Sequence, residues 1–238
     1  MSRVDPATTW RKFVAPEFVF GWDCRQLAGH SVGALGATHV LLAAGPRLAE
    51  AGWVDDVEAI LTAEGLRVTR FLDISPNPRI GEVSAGAERY LAAGCDAIVA
   101  LGGGSPMDCA KAIGVVAVNE RPITEFEGVD LVPVPGPPLV CLPTTAGSAS
   151  EVSQFAIILD PERGTKLAII SKSMVPDKAL IDPAMTVTMD RDLTAATGLD
   201  ALTHAVEALA SNAHSPLTDL HALEAVRLIH EHLERAIA

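Results

Sequence analysis

Cysteine is scarce in this 238-residue chain. The four present (Cys24, Cys95, Cys109 and Cys141) are scattered, with no C-x-x-C pair. Neither a zinc knuckle nor a disulfide framework is indicated, and the four read as small buried apolar residues. Positive charge is also in short supply: 18 Lys and Arg face 30 Asp and Glu, a net charge of −12. That balance excludes a broad nucleic-acid footprint. Hydrophobic residues make up 49% of the chain, yet no uninterrupted apolar run is long enough to span a bilayer. The opening Met1-Ser2-Arg3-Val4-Asp5-Pro6 has no charged-then-apolar signal pattern. A cytoplasmic protein with no membrane or nucleic-acid partner is expected. Its length suits one large or two small domains.

What is present is organised around Leu101-Gly102-Gly103-Gly104-Ser105-Pro106-Met107-Asp108-Cys109-Ala110-Lys111. The apolar run Asp96 to Leu101 before it has buried-strand character, and Ala110, Ile113, Val116 and Ala117 after it recur at helical spacing. The glycines therefore sit where a strand turns into a helix. Three glycines leave no side chain between backbone and ligand, and a helix start aims N–H groups and the positive end of its dipole at the same spot. This is a cradle for a phosphate or pyrophosphate. Pro106 suits the first turn and Ser105 is a candidate cap. A bare triple glycine would equally suit a tight turn; the strand–GGGS–Pro–helix context favours the cradle.

Along the chain, Lys12 to Phe20 reads as extended segments broken at Pro16, and Arg25 to Gly36 as a short helix. His39 to Ala44 is a buried strand, and Pro46 to Ala63 a helix closed by Gly65. Val68 to Leu72 is a strand, Asp73 to Pro78 a loop, Glu82 to Ala93 a helix and Asp96 to Leu101 a strand. Alternating strands and helices predict an α/β fold with a parallel sheet covered on both faces, and ligands in such sheets bind beyond the carboxyl ends of the strands. Glu127 to Pro138 reads as irregular and Leu139 to Leu142 as a strand. The loop Pro143 to Glu151, rich in hydroxyls and glycine, suits a polar ligand, or is a surface loop. Gln154 to Leu159 and Thr165 to Ile170 form a hairpin over a five-residue connection, with Lys166 in its second strand. Beyond Pro183 the chain turns helical, with one helix over about Arg191 to Ser211, Gly198 a candidate break, and another from about Pro216 to Ile237. A boundary near Pro183 divides an α/β domain, 1–183, from the start of an all-α domain, 184–238. Two helices bury little alone, so the chain is expected to stop inside that second domain.

Asp200 and His204 lie four apart, one turn along one helix face. Leu199, Leu202, Val206 and Leu209 leave that face little room to be plainly solvated. A carboxylate and an imidazole so spaced can share Fe²⁺, Zn²⁺ or Mn²⁺, or simply contact one another. His214, His221, His230 and His232 read as solvated helix residues.

Five stretches, PNPRI (76–80), GGGSPMDCAKAIG (102–114), PTTAGSASEV (143–152), LIDP (180–183) and ATGLDALTHAVEAL (196–209), occur in an order that resembles the iron-containing (group III) alcohol dehydrogenases. The first half is similar in wording to a subset described as alcohol-dehydrogenase-like regulatory proteins. The resemblance implies that the first domain binds NAD or NADP through Asn77, Gly103, Gly104, Ser105 and Asp108, with Thr144, Thr145, Ser148 and Lys166 completing the contacts. Asp200 and His204 would be the first two ligands of Fe²⁺, or of Zn²⁺ or Mn²⁺. The metal would bind the substrate oxygen as a Lewis acid while hydride passes to or from the nicotinamide. Family members often carry an acidic residue where this chain reads Ala44-Gly45-Pro46; with Arg47 nearby, a 2′-phosphate is not repelled, so NAD and NADP both stand. Family members also carry two further histidine ligands in helices for which this sequence has no matching motif.

Two functions follow. One is an NAD(P)-dependent, metal-dependent alcohol dehydrogenase acting on a small alcohol or aldehyde, expected as a homodimer in which Lys12 to Phe20 reaches a neighbour. The alternative is a nucleotide-binding regulatory member of the family with no turnover.

Overall fold

Strand-forming sequence runs and their register build one six-stranded sheet in the computed structural model, which describes residues 14–238. In chain order its strands are β1 (Glu17–Phe20), β2 (His39–Ala44), β3 (Arg67–Phe71), β4 (Ala97–Gly102), β6 (Leu139–Pro143) and β9 (Lys178–Ile181). Their spatial order is β1-β9-β6-β4-β2-β3, and every pairing is parallel. The Lys12–Phe13 part of the first extended segment lies outside the described residues.

The central strands are buried at every position, and apolar at all but His39, because both faces are covered. Leu41, Ala43, Ile98 and Ala100 point into one core with helices α4 (Ile80–Ala93) and α5 (Gly104–Asn119). Val40, Leu42, Ala44, Val99 and Leu101 point into the other, with α1 (Ala28–Ala34) and α3 (Trp53–Ala63). The period-2 alternation of a strand thus feeds two cores at once. All four cysteines are buried and free. A second, three-stranded sheet of order β5-β8-β7 comprises β5 (Gly128–Val129), β7 (Phe155–Asp160) and β8 (Thr165–Ile170). Helices α6 (Arg191–Ala210) and α7 (Pro216–Ile237) follow. No helix among the described residues is long and apolar enough to cross a membrane.

Several local expectations are corrected. The segment Pro46 to Ala63 is two helices, α2 (Pro46–Glu50) and α3, separated at Gly52, whose φ of +83° suits glycine. The Arg25 to Gly36 helix begins with a 3₁₀ turn, Cys24–Leu27, ahead of α1. Strand β9 was not anticipated: it is only four residues long, flanked by Pro176 and Pro183, and its burial is settled by its neighbours β6 and β1. The stretch Glu127 to Pro138 contributes β5. The hairpin connection is four residues, Pro161 to Gly164, because Asp160 still pairs with Thr165. Gly198 does not break α6; a Cβ there would lie 2.3 Å from Leu233 Cδ1, so the glycine lets α7 pack close.

Candidate functional site

Because the sheet is parallel, the loops after β2, β3, β4 and β6 open at one end. Gly45, Asn77, Gly102 to Ser105 and Thr144 to Ser148 all lie there. The turn from β4 into α5 needs its glycines for three separate reasons. Gly102 has φ +144°, and a Cβ on it would lie 2.6 Å from Pro106 Cγ. A Cβ on Gly103 would lie 2.8 Å from Thr145 Oγ1, and one on Gly104 would lie 2.8 Å from Ser148 Oγ. The loop after β6 is thus laid directly over the start of α5, and the Thr144 N–H donates to the Gly102 carbonyl at 2.9 Å. Ser105 does not cap α5: the cap position is Gly103, and Ser105 sits within the first turn, where its Oγ accepts from the Asn77 N–H at 3.2 Å.

Asn77 holds a left-handed conformation, φ +56°, at the tip of the loop after β3. Asparagine tolerates that region better than most residues. The loop is fixed from below by Glu82 in the first turn of α4, whose carboxylate accepts from Ser75 Oγ at 2.7 Å and from the Arg79 N–H at 3.1 Å. Asn77, Pro78, Gly104, Ser105, Asp108 and Lys166 line one open cleft of about 540 Å³. Five residues expected at a cofactor are therefore gathered on its wall, while Thr144, Thr145 and Ser148 stand beside it over the glycines. The Asp108 carboxylate is already engaged: it accepts from Ser150 Oγ in a short hydrogen bond and from the Ile157 N–H at 3.0 Å. Burial raises its pKa above the ordinary carboxylate range, offset in part by the Ser150 hydroxyl and the Lys111 charge.

Lys111 is a further residue beneath the site, beyond those its motif predicts. It is 3% exposed, and its ammonium reaches three backbone carbonyls of the 150–155 segment. The only signal for it in the sequence is a lysine set among Cys109, Ala110, Ala112 and Ile113, all fully buried.

On α6, His204 Nε2 lies 3.6 Å from Asp200 Oδ1, so the two side chains share one face of the helix. That face is open, contrary to the expectation of an apolar surround: Asp200 and His204 side chains are about half exposed, and Leu199 and Val206 are 56% and 52% exposed. A mixed oxygen and nitrogen pair suits Fe²⁺, Zn²⁺ or Mn²⁺. Two donors are short of the three that a catalytic ion takes from protein, and no group of three or more His, Cys, Asp or Glu that could hold an ion occurs among the described residues. The pair is tied to the glycine-rich end through Gly147, where a Cβ would lie 2.8 Å from the Thr197 carbonyl, one turn before Asp200.

The fold and the cleft define an α/β protein that presents a glycine-lined helix start at the carboxyl ends of a parallel sheet. Comparison with known proteins narrows this class. The profile for iron-containing alcohol dehydrogenase matches residues 15–183, and that for the C-terminal region of the Fe-containing alcohol dehydrogenase family matches residues 194–238. Alcohol dehydrogenase 4 of Schizosaccharomyces pombe is 40% identical over 94% of this chain, and the NAD-dependent methanol dehydrogenase of Bacillus methanolicus is 37% identical over 95%. These matches cover 54% and 59% of the relatives' own lengths, so the chain spans little more than half of each. Among solved structures, a 1,3-propanediol oxidoreductase superposes with TM-score 0.94 at 36% identity, covering 96% of this chain and 60% of that one. A sulfoacetaldehyde reductase from Bifidobacterium kashiwanohense in complex with NAD⁺ does so at 0.90 and 29%, covering 97% and 61%. The chain belongs to the iron-containing alcohol dehydrogenase family.

Proposed function

We propose that this chain is the cofactor-binding part of an NAD(P)-dependent, metal-dependent alcohol dehydrogenase, interconverting a small alcohol and its aldehyde. The observation that carries the reading is the side-chain-free start of α5 opening into the 540 Å³ cleft beside Asn77 and Lys166. The N–H groups at that helix start suit a pyrophosphate. Thr145 and Ser148 stand over Gly103 and Gly104, where their hydroxyls can hydrogen-bond phosphate oxygens. The exposed Lys166 ammonium on the cleft wall supplies a positive charge to an anionic ligand. When bound, the nicotinamide supplies a hydride acceptor or donor. Asp200 and His204 are two of the ligands of the ion, iron in the family's name, with Zn²⁺ or Mn²⁺ also suited to the donors.

The division at Pro183, into a cofactor domain (1–183) and the beginning of a helical metal domain (184–238), belongs to the same proposal. So do a homodimer and a cytoplasmic setting. No carboxylate follows β2 at Gly45, so the cofactor is NAD or NADP.

Titration of the purified chain with NADH and NADPH, followed by cofactor fluorescence and calorimetry, tests the cofactor assignment. Stoichiometric binding that competes with NAD⁺ is the expected result, and no binding of either nucleotide would overturn it. Alcohol-dependent reduction of NAD⁺ with added Fe²⁺ or Zn²⁺, in a protein of the relatives' full length, tests the reaction. Cofactor binding with no turnover there would favour the regulatory alternative.

A further inference from the structure

The loop laid over the helix start is itself held in a strained shape. Ala149 lies in the left-handed region, φ +51° and ψ +29°, where a Cβ is unfavourable and where no glycine or asparagine relieves it. Such a residue persists only where its surroundings over-determine it. The constraint is adjacent. Lys111 Nζ lies 2.7 Å from the Ser150 carbonyl, 2.9 Å from the Ser153 carbonyl and 2.9 Å from the Phe155 carbonyl, with Ser153 Oγ at 3.1 Å. Carbonyl oxygens only accept, so three of them require three N–H donors, which an ammonium has and a neutral amine lacks. Among the described residues, no carboxylate bonds the ammonium directly. Asp108, one helical turn earlier on α5, supplies the opposite charge through space and is joined to the same segment by Ser150 Oγ.

We propose that Lys111 is a positioning residue for the dinucleotide: its buried ammonium gathers the 150–155 backbone, holds the left-handed turn at Ala149, and thereby sets Thr145 and Ser148 over Gly103 and Gly104. This rests on the cofactor reading above. The lysine never touches the ligand; it acts through the loop. Burial pulls its pKa below the ordinary lysine value, with Asp108 working against that pull, so the charge is retained by its oxygen cage and its neighbour.

The test is Lys111→Met, which keeps the stem and removes the donors, compared with the unaltered chain. NAD⁺ affinity by calorimetry should fall by about tenfold or more. Amide hydrogen exchange in the ligand-free protein should quicken over residues 144–155 while β2 and β4 stay protected. Equal affinity together with unchanged exchange in that segment overturns the proposal. If the unaltered chain binds no nucleotide, the cofactor reading fails and the exchange result alone decides the role of Lys111. Should Lys111→Met not fold, Ser150→Ala keeps the lysine but removes the hydroxyl that links it to Asp108. Its affinity must then fall severalfold with its thermal midpoint held, and unchanged affinity counts against the proposal.

Discussion

The two ends of this chain solve burial differently. In the α/β part, every residue of β2, β4 and β6 is buried, and side chains from both sheet faces enter packed cores. In the α6–α7 pair only Ala205 and Ala222 are buried, while Leu199, Val206, Leu220 and Leu223 are each more than half exposed. The cofactor end is accordingly a finished surface, its loops pinned by Glu82, Lys111 and glycine contacts. The Asp200–His204 pair instead sits on a helix packed mainly against α7, touched by the glycine-rich end at Thr197, and open to water. Prearrangement of a site follows the density of packing beneath it.

The largest contrast should appear in stability. Leu42→Ala, in the middle of β2, should cost roughly 3 kcal/mol in denaturant unfolding, whereas Leu220→Ala on α7 should cost less than about 0.5 kcal/mol. Equal costs would erase the distinction between the regions.

Next in size is Asp182, which is 1% exposed and ties the start of the chain to β9. It accepts from Arg25 at 2.9 Å and from the N–H groups of Asp23 and Ala184 at 3.1 and 3.0 Å. Burial alone would raise its pKa, but the Arg25 guanidinium and these N–H groups carry it below the ordinary value. The stability it adds is therefore present above an unfolded-state pKa of about 3.9 and is lost as pH falls through the lower native value. Asp182→Asn should cost roughly 2 kcal/mol at neutral pH, and its loss of stability on acidification below about pH 4 should be shallower than that of the unaltered chain. Parallel acid profiles would contradict this.

A smaller effect is expected at the cleft. Gly104→Val drives a branched side chain into Ser148 and should weaken NAD⁺ by about tenfold or more, read by calorimetry. Smallest of all is Asp200→Asn, which should leave both unfolding free energy and NAD⁺ affinity within about 0.5 kcal/mol of the unaltered chain. A large fall in stability there would mean that the helical pair is more tightly integrated than its exposure indicates.

The same contrast explains what could be read from residues alone. Strands buried on both faces are continuous apolar runs bounded by glycine or proline, so β2, β4 and β6 were legible, and with them the helix start that follows β4. The limits of α7, Pro216 and Ile237, were legible too. Strand β9 was hidden because four residues carry too little pattern, and its identity depends on β1 and β6. Gly52 and Gly198 look alike in sequence, yet one turns the chain and the other admits Leu233, a difference set by φ and by a neighbour 35 residues away. The exposure of Asp200 and His204 was misjudged because leucines at helical spacing imply a covered face only where something covers them. Lys111 was missed because its partners are backbone carbonyls, which leave no trace in residue identity.

One consequence lies in the order of the strands. Among the described residues, Glu17–Phe20 pairs only with Lys178–Ile181, which itself slots in beside Leu139–Pro143. During synthesis β1 thus leaves the ribosome well before its docking partner, and must wait for some 160 further residues before its ladder can close. Until then Val19, which packs against the second core in the folded chain, travels without that cover, and the nascent chain depends on its middle strands to begin the sheet without β1.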